Sequence, residues 1–164
     1  MAAFLKWLLR IESTVAAVAY AIVAGLLLGE IVAREIFSTT IWGSQRMAIY
    51  AAIYAGFLGL CLATAANAHL RPQFADKWWP ARWSGGLDRV GDVLSAGLFI
   101  WLFIVGLEYV TDSYSANEMA PVIRWKLWWI QSVIIYAFLS SAVRHLIFAA
   151  RPDLKPIPDI TEAA

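Results

Sequence analysis

The sequence predicts an all-α integral membrane protein. It has four transmembrane helices, an interfacial arm on the cytoplasmic side between the second and third, and both termini in the cytoplasm. Three observations lead there. Of the 164 residues, 61% are apolar and 15% charged, where a soluble domain carries roughly 45–50% and about 25%. Four stretches run without any charge: Ser13 to Gly29, Met47 to Ala68, Val93 to Leu107 and Leu127 to Val143. Eight of the nine tryptophans fall at or near the ends of these stretches, and only Trp101 is mid-span. That is the distribution of an aromatic belt at two water interfaces.

Each element follows in order. The first span, about 11–37, carries Lys6 and Arg10 ahead of it, as a signal peptide would. Its apolar run is longer than a signal h-region and the helical pattern continues to about Phe37, so it reads as an uncleaved span. Glu30 and Arg34 are spaced i,i+4 with the acid first, the favourable order for a pair on one helix. The second span covers about 43–68. The third, about 88–112, has a short charge-free centre, with Asp88, Arg89 and Asp92 at one end and Glu108 and Asp112 at the other. The fourth covers about 126–149. These lengths suit a hydrocarbon core of about 30 Å.

The arm, residues 69–86, mixes His69, Phe74, Trp78, Trp79 and Trp83 with Arg71, Lys77 and Arg82. Pro72 and Pro80 break it into pieces. Such a segment suits the membrane surface, rings in the interface and cations toward phosphate, and it suits equally a docking surface for another membrane subunit. The tail, 151–164, carries Pro152, Pro156 and Pro158 and is expected to be extended and mobile. All 164 residues form one membrane domain.

Orientation comes from counting Lys and Arg. The N-terminus, the middle connection and the C-terminus hold nine: Lys6, Arg10, Arg71, Lys77, Arg82, Arg89, Arg144, Arg151 and Lys155. The opposite side holds four: Arg34, Arg46, Arg124 and Lys126. The larger number belongs in the cytoplasm.

Charge and composition also exclude functions. A net charge of +1 argues against a nucleic-acid binder, which shows a strongly basic face. A single cysteine, Cys61, excludes a disulfide framework and zinc sites built on several thiolates. No Ser–His–Asp arrangement, phosphate loop or paired catalytic carboxylates stand out, so no enzyme activity, cofactor or metal is expected. The charged residues read as clustering at the span ends: Glu30, Glu35, Glu108 and Asp112 at the outer ends, His69, Asp88, Asp92, Arg144 and His145 at the inner ends, with Glu12 also near an end. Carriers that couple to protons keep an acid or histidine inside the membrane, so the chain is not expected to carry a substrate by itself. His145 reads as an interfacial histidine beside Arg144, and Cys61 as a small apolar residue.

Two small-residue patterns signal close helix packing. Gly25 and Gly29 form a GxxxG match in the first span. Ala48, Ala52, Gly56, Gly59, Ala63 and Ala66 form a stripe along the second. Whether that stripe packs within the chain or against a partner is open.

Arg34-Glu35-Ile36-Phe37, then Trp42, then a long second span with Gly59 that closes on His69-Leu70-Arg71, resembles the small membrane subunit of the tripartite ATP-independent periplasmic (TRAP) transporters, the DctQ-like family. That family shows an Arg-x-x-Phe ending of the first helix, a Trp followed by an acidic pair at the start of the second, and a His-hydrophobe-Arg at its end. Here Ser44 and Gln45 replace the acidic pair, with Arg46 following, and Gln73 replaces the acid after the His-x-Arg. The motif spans only Arg34 to Arg71. The layout of four spans, short outer connections and a middle arm covers nearly the whole chain.

The resemblance implies a scaffold subunit in the inner membrane. A periplasmic solute-binding protein would deliver an organic acid or similar solute. A large membrane permease subunit would hold the substrate and sodium sites and move elevator-fashion. The small subunit would pack against the large one, with lipids at the interface, and help form the docking surface. Docking candidates are then Arg34, Glu35, Arg46, Glu118, Arg124 and Lys126, and packing candidates are Gly25, Gly29, Ala52, Gly56, Gly59 and Ala63. One alternative is a haem- or quinone-binding anchor of a respiratory enzyme, with His69 and His145 as ligands. Another is a small four-helix exporter working as a homodimer.

Overall fold

The computed structural model describes residues 2–67 and 84–156. His69, Arg71, Phe74, Trp78, Trp79 and Trp83, expected in the interfacial arm, lie outside the described residues, as does the tail beyond Pro156. Four helices are described: α1, Ala2–Phe37; α2, Ser44–Ala65; α3, Ser84–Ser115; and α4, Leu127–Ala150. All four are long and apolar enough to cross a membrane. A helix starts at Ala2 because nothing in Leu5–Arg10 breaks one, so α1 runs on beyond the charge-free stretch.

The helices do not close into a symmetric bundle. α1 packs on α2, α2 on α4 and α4 on α3, and no other pair packs extensively among the described residues. Ala16, Leu58 and Val133 form a small buried core where α1, α2 and α4 meet. The central helix is α4, with 44% of its apolar window buried against 17–28% for the others. In lipid this costs nothing, because acyl chains solvate exposed Leu and Val as well as a neighbouring helix does.

α4 earns its place with three side-chain rows at helical spacing. Tyr136, Ser140 and Arg144 face α1. Ala137 and Ser141 face α2. Phe138 and His145 face α3, where Phe138 sits beside Gly106 and the His145 ring stacks on Phe99 at 5.6 Å. Phe138 also meets Phe57 of α2 edge-on, ring centroids 5.8 Å apart.

The α1–α2 and α3–α4 connections lie against each other at one end of the molecule. Tyr50 Oη donates to the Pro121 carbonyl (3.3 Å) and Tyr54 Oη to the Trp129 carbonyl (3.0 Å). Gly43 has φ +79°, and a Cβ there would come 2.6 Å from Val122 Cγ1. Val122 itself sits at φ 76° and Arg124 at φ 52°. A β-branched residue in the left-handed region is a true outlier. The turn holds it there with a bridge between Met119 and Lys126, and with Ala120 N donating to the Trp125 carbonyl at 2.7 Å.

One expected ion pair is replaced by other contacts. Glu30 does not pair with Arg34. Its carboxylate accepts from Ile41 N (2.9 Å) and Ser44 Oγ (2.8 Å), while Arg34 reaches Glu35 at 3.4 Å. Glu30 thus places negative charge at the start of α2, where the helix dipole favours it. Ser44 is buried in this contact. An acid at position 44 would face the Glu30 carboxylate, which accounts physically for the serine there.

Gly43→Ala should destabilise the purified chain by about 1–3 kcal/mol, because it adds both backbone strain and a clash. Gly56→Ala, with open space around the added methyl, should leave stability unchanged or slightly raised. Thermal unfolding in detergent compares the two, and equal losses would contradict the connection geometry.

Candidate functional site

Charge inside the helices is where function would show, and Glu12, Arg144, Asp92 and His145 are paired within the chain. Glu12 and Arg144 are each about 1% exposed, with Arg144 Nη2 2.6 Å from Glu12 Oε2. Arg144 Nη1 donates to Glu12 Oε1 (3.3 Å), Ser140 Oγ (3.1 Å) and the Cys61 carbonyl of α2 (3.2 Å). Tyr136 Oη (2.9 Å) and Ser140 Oγ (2.8 Å) donate to Glu12 Oε1. An ion pair with its remaining lone pairs and protons bonded is the form in which charge survives in a low dielectric. Beside it, Cys61 is fully buried with Sγ 3.7 Å from the Ala137 carbonyl, and Thr64 Oγ1 bonds Ser141 Oγ at 3.2 Å.

A second cluster joins α3, α4 and the tail. Asp92 Oδ1 lies 3.1 Å from His145 Nδ1, and Asp92 Oδ2 accepts from Lys155 Nζ at 2.7 Å. Lys155 follows a 3₁₀ turn over Pro152–Leu154. The expected extended tail therefore starts with a turn anchored to α3.

These contacts revise the expected placement of four residues. Glu12, Arg144, Asp92 and His145 are all buried, and none sits at a solvated helix end. Arg144 leaves the Lys and Arg count, which becomes eight against four. His145 is held between Asp92 and the Phe99 ring, and His69, its suggested partner as a haem ligand, lies outside the described residues. Among the described residues no group of three or more His, Cys, Asp or Glu could hold a metal ion.

The six docking candidates gather at the end that holds the α1–α2 and α3–α4 connections. Arg34, Glu35, Arg46, Glu118 and Arg124 are exposed, and Lys126 is half-buried. Glu118 accepts from Ser113 Oγ at 2.7 Å, and Lys126 Nζ donates to Asn117 Oδ1. The side chains of Arg46 and Arg124 have no partner among the described residues. Arg124 and Lys126 overhang an open, mainly apolar groove of about 870 Å³ between α1, α2 and α4, floored by Ala19, Ala51 and Ile130.

The packing candidates divide. Gly29 is half-buried, and a Cβ there would lie 3.6 Å from Ile41. Gly25 faces open space. On α2 the row that buries itself is Ser44, Ala48, Ala55, Leu58, Cys61 and Thr64. Ala52 and Gly56 are exposed, Gly59 and Ala63 are half-buried, and no side chain approaches Gly56 or Gly59 within 4 Å. That stripe belongs to the helix surface rather than to the intrachain core.

Four helices long and apolar enough to cross a membrane, with Glu12 paired to Arg144 and Asp92 paired to His145 and Lys155, define a small multi-pass membrane protein. Residues 23–153 match the family described as tripartite ATP-independent periplasmic transporters, DctQ component. The chain belongs to that family and is a small membrane subunit of a TRAP transporter. No curated protein and no solved structure matches it.

Arg144→Ala or Glu12→Ala alone should cost about 3–5 kcal/mol, because each strands a buried charge. Glu12→Leu combined with Arg144→Met should recover most of that loss. Denaturant unfolding in mixed micelles reads all three, and a double variant as unstable as the sum of the single ones would contradict the pairing.

Proposed function

We propose that this chain is the scaffold of its transporter, packing against the large sodium-coupled elevator subunit and helping to dock the periplasmic solute-binding protein for uptake of an organic acid or similar solute. Both termini and the 69–86 arm face the cytoplasm, and the two short connections face the periplasm across the bacterial inner membrane. The observation that carries this reading is the division of charge. Glu12, Arg144 and Asp92 are consumed by partners within the chain, while Arg34, Glu35, Arg46 and Arg124 stand exposed at the connection end. Buried charges bonded to one another, as Glu12 and Arg144 are, are not free to bind a solute.

Two further features support the assignment. The connection that carries Arg124 holds Val122 and Arg124 at positive φ, and such strain gathers at functional loops. The small stripe of Ala52, Gly56, Gly59 and Ala63 lets another helix approach closely.

Reversing Arg124 and Lys126 together to Glu should lower uptake about tenfold at limiting binding protein and low salt. The deficit should shrink as salt rises, because rim charges act mainly on the association rate and are screened. Uptake equal to wild type at every salt concentration, with normal membrane abundance, would remove these residues from docking. Gly56→Leu should reduce recovery of the large subunit without lowering the chain's own stability.

A further inference from the structure

α3 has two faces of opposite character. Asp92, Ala96, Phe99, Val110 and Ser113 are buried on one of them, and Gly106 lies there against Ile134 and Phe138 of α4. The other carries Leu94, Leu98, Trp101, Val105 and Glu108, at steps of four, three, four and three. That is heptad spacing, which one helix can use to pack along another. The neighbouring exposed row Val93, Gly97, Ile100, Ile104 and Leu107 has the same steps, and Trp101 and Glu108 are what distinguish this one. The four apolar members are 69%, 53%, 60% and 44% exposed. Glu108 is exposed as well.

Lipid alone is a poor neighbour for this face. Trp101 is the one tryptophan away from the interfacial belts, and its indole N–H has no acceptor among the described residues. Buried tryptophans usually find one. Glu108 has no ion-pair or hydrogen-bond partner among the described residues either. The sequence places it toward the outer end of the third span, and its position along α3 relative to the aromatic belt follows from the packing. Tyr114 is level with Trp128 of the aromatic belt, ring centroids 5.7 Å apart. Glu108 lies six residues before it on α3, about 9 Å toward the membrane centre at 1.5 Å per residue. A carboxylate at that depth is costly unless something pairs with it.

The partner's chemistry follows. A second copy fits badly, because a membrane dimer axis runs along the bilayer normal and brings identical residues to the same depth. A symmetric α3–α3 contact would set Glu108 against Glu108, two like charges in a low dielectric. The periplasmic binding protein cannot reach the depth of Trp101. We infer that the Leu94–Glu108 face of α3 is the seam for a transmembrane helix of the large membrane subunit, which places a cationic side chain opposite Glu108 and a hydrogen-bond acceptor near Trp101. The inference rests on the scaffold reading above and adds to it the face used and the charge expected across it.

The test uses the complex expressed with its native partners. Trp101→p-benzoylphenylalanine and Leu98→p-benzoylphenylalanine are photo-cross-linked in membranes, and the products are identified by mass spectrometry. Glu108→Lys and Glu108→Gln are purified in parallel and the large subunit that accompanies them is quantified. Cross-links from both positions to the large subunit are expected. Glu108→Lys should cut its recovery about tenfold and Glu108→Gln less, with the isolated chain's thermal stability unchanged, since the side chain is exposed within it. Cross-links to lipid or to a second copy alone, from a preparation in which wild type retains the large subunit, would overturn the seam and leave the scaffold reading standing. Absence of the large subunit from the wild-type preparation would overturn both.

Discussion

An arginine and a glutamate inside a lipid-solvated protein can remain there only by holding each other, and the arrangement of α1, α2 and α4 follows from that constraint. Glu12 and Arg144 meet at 2.6 Å although 132 residues separate them. Their contact fixes how far α1 slides along α4, because a shift of one helical turn would leave two buried charges apart. Arg144 also bonds the Cys61 carbonyl, which ties α2 into the same point. Apolar packing in a membrane sets no such register, since lipid and protein offer similar apolar contacts. The pair supplies what the hydrophobic effect supplies in water.

The other polar contacts extend this logic to both ends. Asp92, His145 and Lys155 secure α3 and the first tail residues to α4. Glu30 closes the α1–α2 connection onto the start of α2. At the far side of that connection, Gly43 and Val122 press together in left-handed conformations. Each helix is thus pinned by a few directional bonds. Wide apolar faces on α1 and α3 stay open, as suits a subunit that works in a complex rather than alone.

Much of this was legible in the sequence, and what was not has identifiable reasons. Absence of charge located the four helices, because the bilayer penalises charge more sharply than it rewards any apolar pattern. The same rule missed that Glu12, Arg144, Asp92 and His145 are buried and paired between helices, because it treated each charge as solvated at a helix end. A signal was available: Tyr136, Ser140 and Arg144 step by four on one face of a helix, which is the pattern of an inward polar row. Its partner could not be found, since no local spacing links residue 12 to residue 144. Glu30 illustrates the converse error. A favourable i,i+4 spacing to Arg34 pointed along the helix, but the neighbouring connection offers the carboxylate two donors at once. The α2 stripe was visible as a pattern and silent about direction, because glycine and alanine suit an internal contact and an external one equally. The family was legible from order and spacing between Arg34 and Arg71, and residues 23–153 match it.

Membership of a TRAP transporter family, with Glu12 and Arg144 closed on each other, fits the proposed scaffold role. Its neighbours should therefore define its activity. The most direct measurement is purification of the tagged full chain from its native membrane in mild detergent, with quantitative mass spectrometry of what accompanies it. The account predicts a large multi-span permease in near-equal amount and a preparation without haem absorbance. A respiratory flavoprotein in its place, or a haem-coloured chain purifying alone, would contradict it.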